Sequence, residues 1–238
     1  FVMVVGANFF VAIIISMVLG IALGALIEFV LLRPLRGANI DTTMLVMIGA
    51  WIALQNLEQF TWSGIAKSVN HPFPVEPLVL GSVSVSWLRI FVFLFALTLI
   101  GGTYFLINRT KLGKAMRATF QDRDTAALMG VNINGIYTAT FALGSSLAAA
   151  AGALLGPVFV VAPYMGDMAA LKAFAIVILG GLGNIIGATI GGFVLALVEE
   201  LGAGYISSGY RDAMGFLLII IVLVYKPTGL FAVKEGIG

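Results

Sequence analysis

From Phe9 to Leu32 the chain carries one ionisable side chain, Glu28, in an otherwise apolar run. Such a run has few physical homes, because a helix of about 20 apolar residues is what crosses the hydrocarbon of a bilayer. Further apolar runs follow at Thr43–Thr61, Leu88–Ile107, Gly135–Val160 and Ala213–Tyr225. They are continuous and lack the period-two alternation of a membrane β-barrel. With 61% hydrophobic residues, 10% charged ones and a mean hydropathy of +1.09, the chain is no ordinary soluble domain. It reads as an all-α polytopic membrane protein, a single transmembrane helix bundle over residues 1–238. The absence of cysteine excludes disulfides and thiolate metal sites.

The first span ends at Arg33-Pro34-Leu35-Arg36-Gly37, where proline cannot extend the helix and the arginines mark a cytoplasmic end. Glu28 lies about one turn before Arg33 and is expected to snorkel or to pair with it. Gly20 and Gly24 form a small-xxx-small pair suited to close helix contact. In the second span Gln55 and Asn56 either hydrogen-bond across helices or line a polar path, and Trp62 suits an interfacial belt. The loop from Ser63 to Trp87 holds Pro72, Pro74 and Pro77, then an alternating stretch, Val79–Ser86, that reads as a surface hairpin. His71 is the only histidine and has no second ligand near it, so no metal site is expected.

Two small-residue stripes follow. Gly144, Ala148, Gly152 and Gly156 repeat every four residues, as do Gly183, Gly187 and Gly191. Glycine weakens a helix in water, so such stripes predict close packing inside a bundle. The segments Leu171–Gly183 and Ile185–Leu201 are each short for a span and read as a broken or re-entrant pair. Broken helices lie near translocation paths, which makes Asn184, at the break, a candidate path residue. Lys172 is expected at an outer edge, with Glu199 and Glu200 at the outer interface.

Between the third and fourth spans lies one polar island, Asn108–Asn134, with five basic residues (Arg109, Lys111, Lys114, Arg117, Arg123) beside Asp122 and Asp124. Two short helices can be read in it. Thr110 caps the first, over Lys111–Thr119, and Asp122 caps the second, which Gly130 ends. Leu112, Met116 and Phe120 share one face of the first. Together with Ala127, Leu128 and Met129 they need something apolar to cover them. If the island, the Arg33–Arg36 turn and the C-terminus with Lys226 and Lys234 share one side, nine of thirteen basic residues lie there. Lys67, Arg89, Lys172 and Arg211 lie on the other. The positive-inside rule then puts the island (108–134) in the cytoplasm and the 63–87 loop in the periplasm.

The run Thr110-Lys-Leu-Gly-Lys-Ala-Met-Arg-Ala-Thr-Phe-Gln-Asp-Arg-Asp-Thr-Ala-Ala-Leu-Met-Gly-Val-Asn132 closely resembles the main cytoplasmic loop of bacterial branched-chain amino-acid ABC-transporter permeases. So do Arg33–Gly37, Lys172–Phe174 with Leu179–Gly187, Ser207–Asp212 and Lys226–Phe231, in the order of the smaller permease subunit of the high-affinity system. The resemblance implies an inner-membrane, multi-pass permease with no cofactor and no nucleic-acid partner. It implies a second permease subunit, two cytoplasmic ATPase subunits and a periplasmic substrate-binding protein as partners. It also makes the island the ATPase-coupling loop, with Leu112, Gly113, Met116, Arg117, Phe120, Gln121, Asp122, Leu128, Met129 and Gly130 as its contact and framing residues. Members of that family begin with further membrane segments, including an Asn-Phe-Ala-His-Gly motif, that this chain lacks. By this reading it is N-terminally incomplete, and the substrate contacts those segments supply are missing.

No Gly-x-x-x-x-Gly-Lys-Ser/Thr phosphate loop occurs, so ATP hydrolysis would belong to another chain. A secondary transporter would carry ionisable groups mid-membrane, whereas Glu28, Glu58, Glu199 and Glu200 read as lying near span ends. No clustered catalytic set falls inside the spans, which argues against a membrane enzyme. The urea-type permease, with similar loop and glycine motifs, is the nearest alternative within the class.

Overall fold

The computed structural model describes residues 8–62, 64–74, 76–80, 83–181, 183–226 and 229–231. Ser63, Gly81, Ser82, Leu182, Pro227, Thr228 and Lys234, which figure in the motifs above, lie outside the described residues. Two compact units emerge, Phe1–Pro163 and Tyr164–Gly238.

In the first unit, α1 (Phe9–Ile27) continues into a π-helical turn, Glu28–Leu32. Then come α2 (Ile40–Trp62), the strands β1 (Leu78–Leu80) and β2 (Val83–Val85), and α3 (Trp87–Arg109). Two short helices follow, α4 (Lys111–Gln121) and α5 (Arg123–Leu128), before the long α6 (Ile133–Leu155). The strands form the expected hairpin, with Leu78 opposite Val85 and Leu80 opposite Val83.

The closest pairing in this unit is α1 on α6, and glycine makes it possible. A methyl carbon on Gly20 would lie 2.7 Å from the Ser145 carbonyl oxygen and 2.8 Å from Ala149 Cβ. One on Gly24 would lie 2.6 Å from Ser145 Cβ and 2.7 Å from the Phe141 carbonyl oxygen. The two backbones therefore touch, as small-xxx-small pairs allow. At one end of this pair Phe9, Ile13 and Leu154 form a buried core. The rings of Phe73 and Phe91 close over it, both edge-on to the Phe9 ring at 6.0 and 6.1 Å. An antiparallel bridge between Lys67 and Val161 binds the 64–74 loop to the chain leaving α6 at that same end. The island lies at the other end, because α3 runs from the loop to it.

The second unit holds α7 (Met165–Gly180), α8 (Ile185–Tyr205), a 3-10 turn (Ser208–Tyr210) and α9 (Arg211–Tyr225). The break falls at Gly181–Asn184, where Gly181 and Gly183 take positive φ of 93° and 82°. Gly180 abuts Gly187 and Ala188, while Gly191 meets Ile176, so α7 and α8 form an antiparallel hairpin. Their lengths differ from the expectation. At 16 residues α7 is short, but α8 has 21 and runs past Leu201 to Tyr205. The chain after α9 returns to the hairpin turn, where the Leu230 N–H donates to the Leu179 carbonyl at 2.9 Å.

Among the described residues five helical segments are long and apolar enough to cross a membrane: Phe9–Leu32, Trp87–Arg109, Ile133–Leu155, Ile185–Tyr205 and Ser208–Tyr225. The 23-residue α2 is apolar over its first half, while Gln55, Asn56, Glu58 and Gln59 make its second half more polar. Large apolar side chains such as Ile14, Phe105 and Ile220 are exposed on these helices, as lipid-facing surfaces require.

Candidate functional site

The island is held as a rigid module by its own caps. Thr110 accepts from the Gly113 N–H at 3.1 Å, and its hydroxyl donates to the Leu106 carbonyl at 2.6 Å, stitching α4 onto the end of α3. Gly113 is required there, since a methyl carbon would fall onto the Ile107 carbonyl group. Arg117 reaches back the same way. Its guanidinium donates to the Ile107 carbonyl and, at 3.1 Å, to Asn108 Oδ1. That cation therefore braces the turn between α3 and α4.

Asp122 caps α5. Its Oδ1 accepts from the N–H groups of Asp124 at 2.9 Å and Thr125 at 3.0 Å, and its Oδ2 from the Thr125 hydroxyl. The Thr125 hydroxyl, then the Thr125 N–H, hold the carboxyl below its ordinary range, with the Asp124 N–H adding to them. Gly130 ends the helix at φ 83°, with its N–H on Ala127 and the Val131 N–H on Ala126, a Schellman stop. Asn132 at once caps α6 through the Gly135 N–H at 3.1 Å.

On this frame the apolar side chains divide. Met116 is half-buried. Phe120, Leu128 and Met129 stand 82%, 88% and 81% exposed, and Leu112 and Gln121 are exposed as well. The apolar surface thus consists of the end of α4 and the end of α5, where i, i+4 spacing alone pointed to Met116 and Phe120.

Beneath the island sits a buried charge. Glu28, 1% exposed, pairs with Arg36 rather than with Arg33. Arg33 instead lies over the Phe29 ring, 5.2 Å from its centre. Glu28 also accepts from the Thr138 hydroxyl at 2.6 Å. Arg36 donates to Asn134 Oδ1 as well and stacks 4.7 Å from the Tyr137 ring centre. Glu28 alone in an apolar run was the one signal for this network, and its partners on α6 lie about a hundred residues away in the sequence.

In the second unit Lys172 lies midway along α7, not at an edge. It bridges Glu199 of α8 at 2.7 Å and Asp212 of α9 at 2.9 Å. Glu199 is buried, with its carboxylate against Gly215, while Glu200 pairs with Arg211 at 3.1 Å.

The path candidates are engaged within the protein. Asn184 caps α8 through the Gly187 N–H at 2.9 Å and donates to the Phe231 carbonyl at 2.8 Å. Asn56 folds back on Ile52 of its own helix, and Gln55 donates to the Pro163 carbonyl at 3.4 Å. The stripes divide too. Gly187 and Gly191 make the α7–α8 contact, but Gly183 belongs to the turn before α8. Gly144 and Gly152 have nothing within 4 Å of where a side chain would begin. The neighbouring face of α6, with Ser145 and Ala149, takes the α1 contact instead. Gly156 meets Val161 and Val69 at the loop end, and Ala148 lines an open groove with Thr140, Phe141, Gly144 and Ser145. Among the described residues no group of three His, Cys, Asp or Glu side chains could hold a metal ion.

The class defined by these features is a multi-pass helical membrane protein with a capped, basic module between two of its long helices. A family model described as branched-chain amino acid transport system / permease component matches residues 1–223, and the chain belongs to that family. It is a permease component of the inner membrane. BraD of Pseudomonas aeruginosa, a high-affinity branched-chain amino acid transport system permease protein, is 35% identical over 92% of this chain and 73% of its own length. LivH of Escherichia coli K12, of the same description, is 34% identical over 98% and 76%. A probable branched-chain amino acid transport permease protein of Methanocaldococcus jannaschii is 30% identical over 89% and 71%. No solved structure matches the chain significantly.

Proposed function

We propose that this chain is the smaller translocating subunit of an ATP-driven importer of branched-chain amino acids. It takes substrate from a periplasmic binding protein, pairs with a second permease in the lipid bilayer, and docks on cytoplasmic ATPase subunits that hydrolyse the nucleotide. The substrate class follows the printed descriptions of BraD and LivH. The observation that carries the ATPase coupling is the bare Phe120–Leu128–Met129 surface on two helices fixed by the Thr110 and Asp122 caps and the Gly130 stop. A surface that transmits force needs an apolar contact and a frame that does not yield, and the island has both. A secondary transporter would couple flux to an ion through ionisable groups within its helices, and the dependence of uptake on ATP separates the two readings.

The test is Phe120→Asp. The side chain is exposed, so the chain should insert and fold as before. A carboxylate placed in an apolar docking groove is desolvated without a partner, at a cost of roughly 2 kcal/mol or more. Co-purification of the ATPase with the permease pair should fall at least tenfold, and substrate-stimulated ATP hydrolysis in liposomes should fall with it. Uptake that survives ATP depletion, or unchanged ATPase binding in the variant, would reject this reading.

A further inference from the structure

We propose that the buried Glu28–Arg36 pair is the joint that carries movement of the island to α1, so that its residues position the membrane helices during transport. The inference rests on the ATPase-coupling reading of the island. The chain from α5 to α6 has no slack. The Schellman turn at Gly130 runs straight into the Asn132 cap, and Asn134 lies two residues further on. Arg36 holds Asn134 with one nitrogen and Glu28 with another, while the Tyr137 ring covers its guanidinium. One planar fork thus spans the foot of the island and the end of α1, a geometry that the point charge of lysine does not reproduce.

Glu28 is fixed twice over. Its carboxylate takes the Thr138 hydroxyl and Arg36, and its carbonyl accepts the Arg33 N–H at 2.8 Å, closing the π-helical turn. Single π turns within helices recur at functional positions. Glu28 stands one helical turn beyond Gly24 on the same face of α1 and so meets α6, while the π turn that starts there sets the chain leading on to Arg36. A displacement of α5 therefore acts on α1 through a polar clamp, and the backbone contact at Gly20 and Gly24 makes α1 and α6 move together.

The experiment uses the complete reconstituted transporter and two variants. Asn134→Ala cuts only the link between the island and the pair, at an exposed residue. Arg36→Lys keeps the charge and loses the fork. Both should assemble in wild-type amounts and retain the ATPase, yet move several-fold less substrate per ATP hydrolysed. A purely structural role would lower transport and hydrolysis in proportion. A wild type whose uptake needs no ATP would instead reject the functional reading. A second measurement decides the joint within the same transporter, its other subunits freed of cysteine. The chain has no cysteine, so spin labels can be placed at Leu26 on α1 and Ala127 on α5 alone. Their separation should be narrowly distributed in the wild-type permease and broadened in both variants. An unchanged distribution, or an unchanged ratio of substrate to ATP, overturns the proposal.

Discussion

At the scale of single residues, the polar groups of the island and of the Lys172 cluster act in sets. Asp122 shows the consequence for pH. Hydrogen bonds from Thr125 and Asp124 favour its charged form, so its folded pKa lies below the unfolded one. Such a group stabilises the fold above the unfolded pKa, and the contribution is lost as pH falls through the folded value. Amide-exchange protection at Asp124 and Thr125 should therefore be flat above about pH 5, once corrected for intrinsic exchange rates. It should collapse at any pH in Asp122→Ala and largely survive in Asp122→Asn, because asparagine caps as well as aspartate. Lys172 is the contrasting case, a cation shared between two carboxylates. Removing one member of a buried pair costs about 3–5 kcal/mol, and less where a partner keeps contact with solvent. The Lys172 side chain is 32% exposed, so Lys172→Met should destabilise the fold by about 3 kcal/mol or less, read as a lower midpoint of thermal unfolding in detergent. Adding Glu199→Gln should restore much of the loss. If the double variant is no more stable than the single, the pair is not the source of the effect.

At the scale of elements, glycine sorts the helix contacts. A methyl carbon on Gly187 would fall onto the Gly180 carbonyl oxygen and lie 2.9 Å from Phe231 Cβ. Gly187→Ala should therefore open the α7–α8 hairpin almost as severely as Gly187→Leu does, although a loose small-residue stripe would accept alanine. Gly144→Ala and Gly152→Ala meet nothing within 4 Å and should leave the folded chain as stable or up to about 1 kcal/mol more stable. Protease resistance of the purified permease separates the two outcomes. Equal resistance of wild type and Gly187→Ala would show that the hairpin is not closed by this contact. The same comparison shows what was legible in the sequence. Helix existence was legible, because hydrophobic length is local: Phe9–Leu32 is found with the same ends. So were both island caps and the Gly130 stop, which depend on neighbours within a few residues. Partners were not. A four-residue repeat says that a helix has a narrow face but not what lies opposite, so Gly144 and Gly187 read alike. Glu28 follows Gly20 and Gly24 at four-residue spacing on the face of α1 that meets α6, and the π turn after it displaces Arg33, so the expected pairing within one turn is not made.

At the scale of the whole molecule, the internal geometry of residues 1–163 tests the orientation inferred from charge. The aromatic cap of Phe73 and Phe91 and the Lys67–Val161 bridge gather the 64–74 loop at one end of α1 and α6. Glu28, Arg36 and Asn134 gather the foot of the island at the other end. α1 with its π turn has 24 residues, about 36 Å of helix at 1.5 Å per residue, which matches the thickness of a bilayer. We propose on this ground that loop and island lie on opposite sides of the membrane, with the island, rich in basic residues, on the cytoplasmic side. The chain has no cysteine, so single cysteines report cleanly. Ser68 is exposed and serves for the loop. Thr119 is buried, with its hydroxyl on the Ala115 carbonyl at 2.8 Å, so the island probe belongs on exposed Ala118. An impermeant maleimide added outside intact spheroplasts should label Ser68→Cys and spare Ala118→Cys until the membrane is opened. Labelling of Ala118→Cys with sparing of Ser68→Cys would invert the orientation and remove the ATPase from reach of the island. Labelling of both from outside would break the geometric argument itself, since α1 and α6 could not then cross the membrane between them.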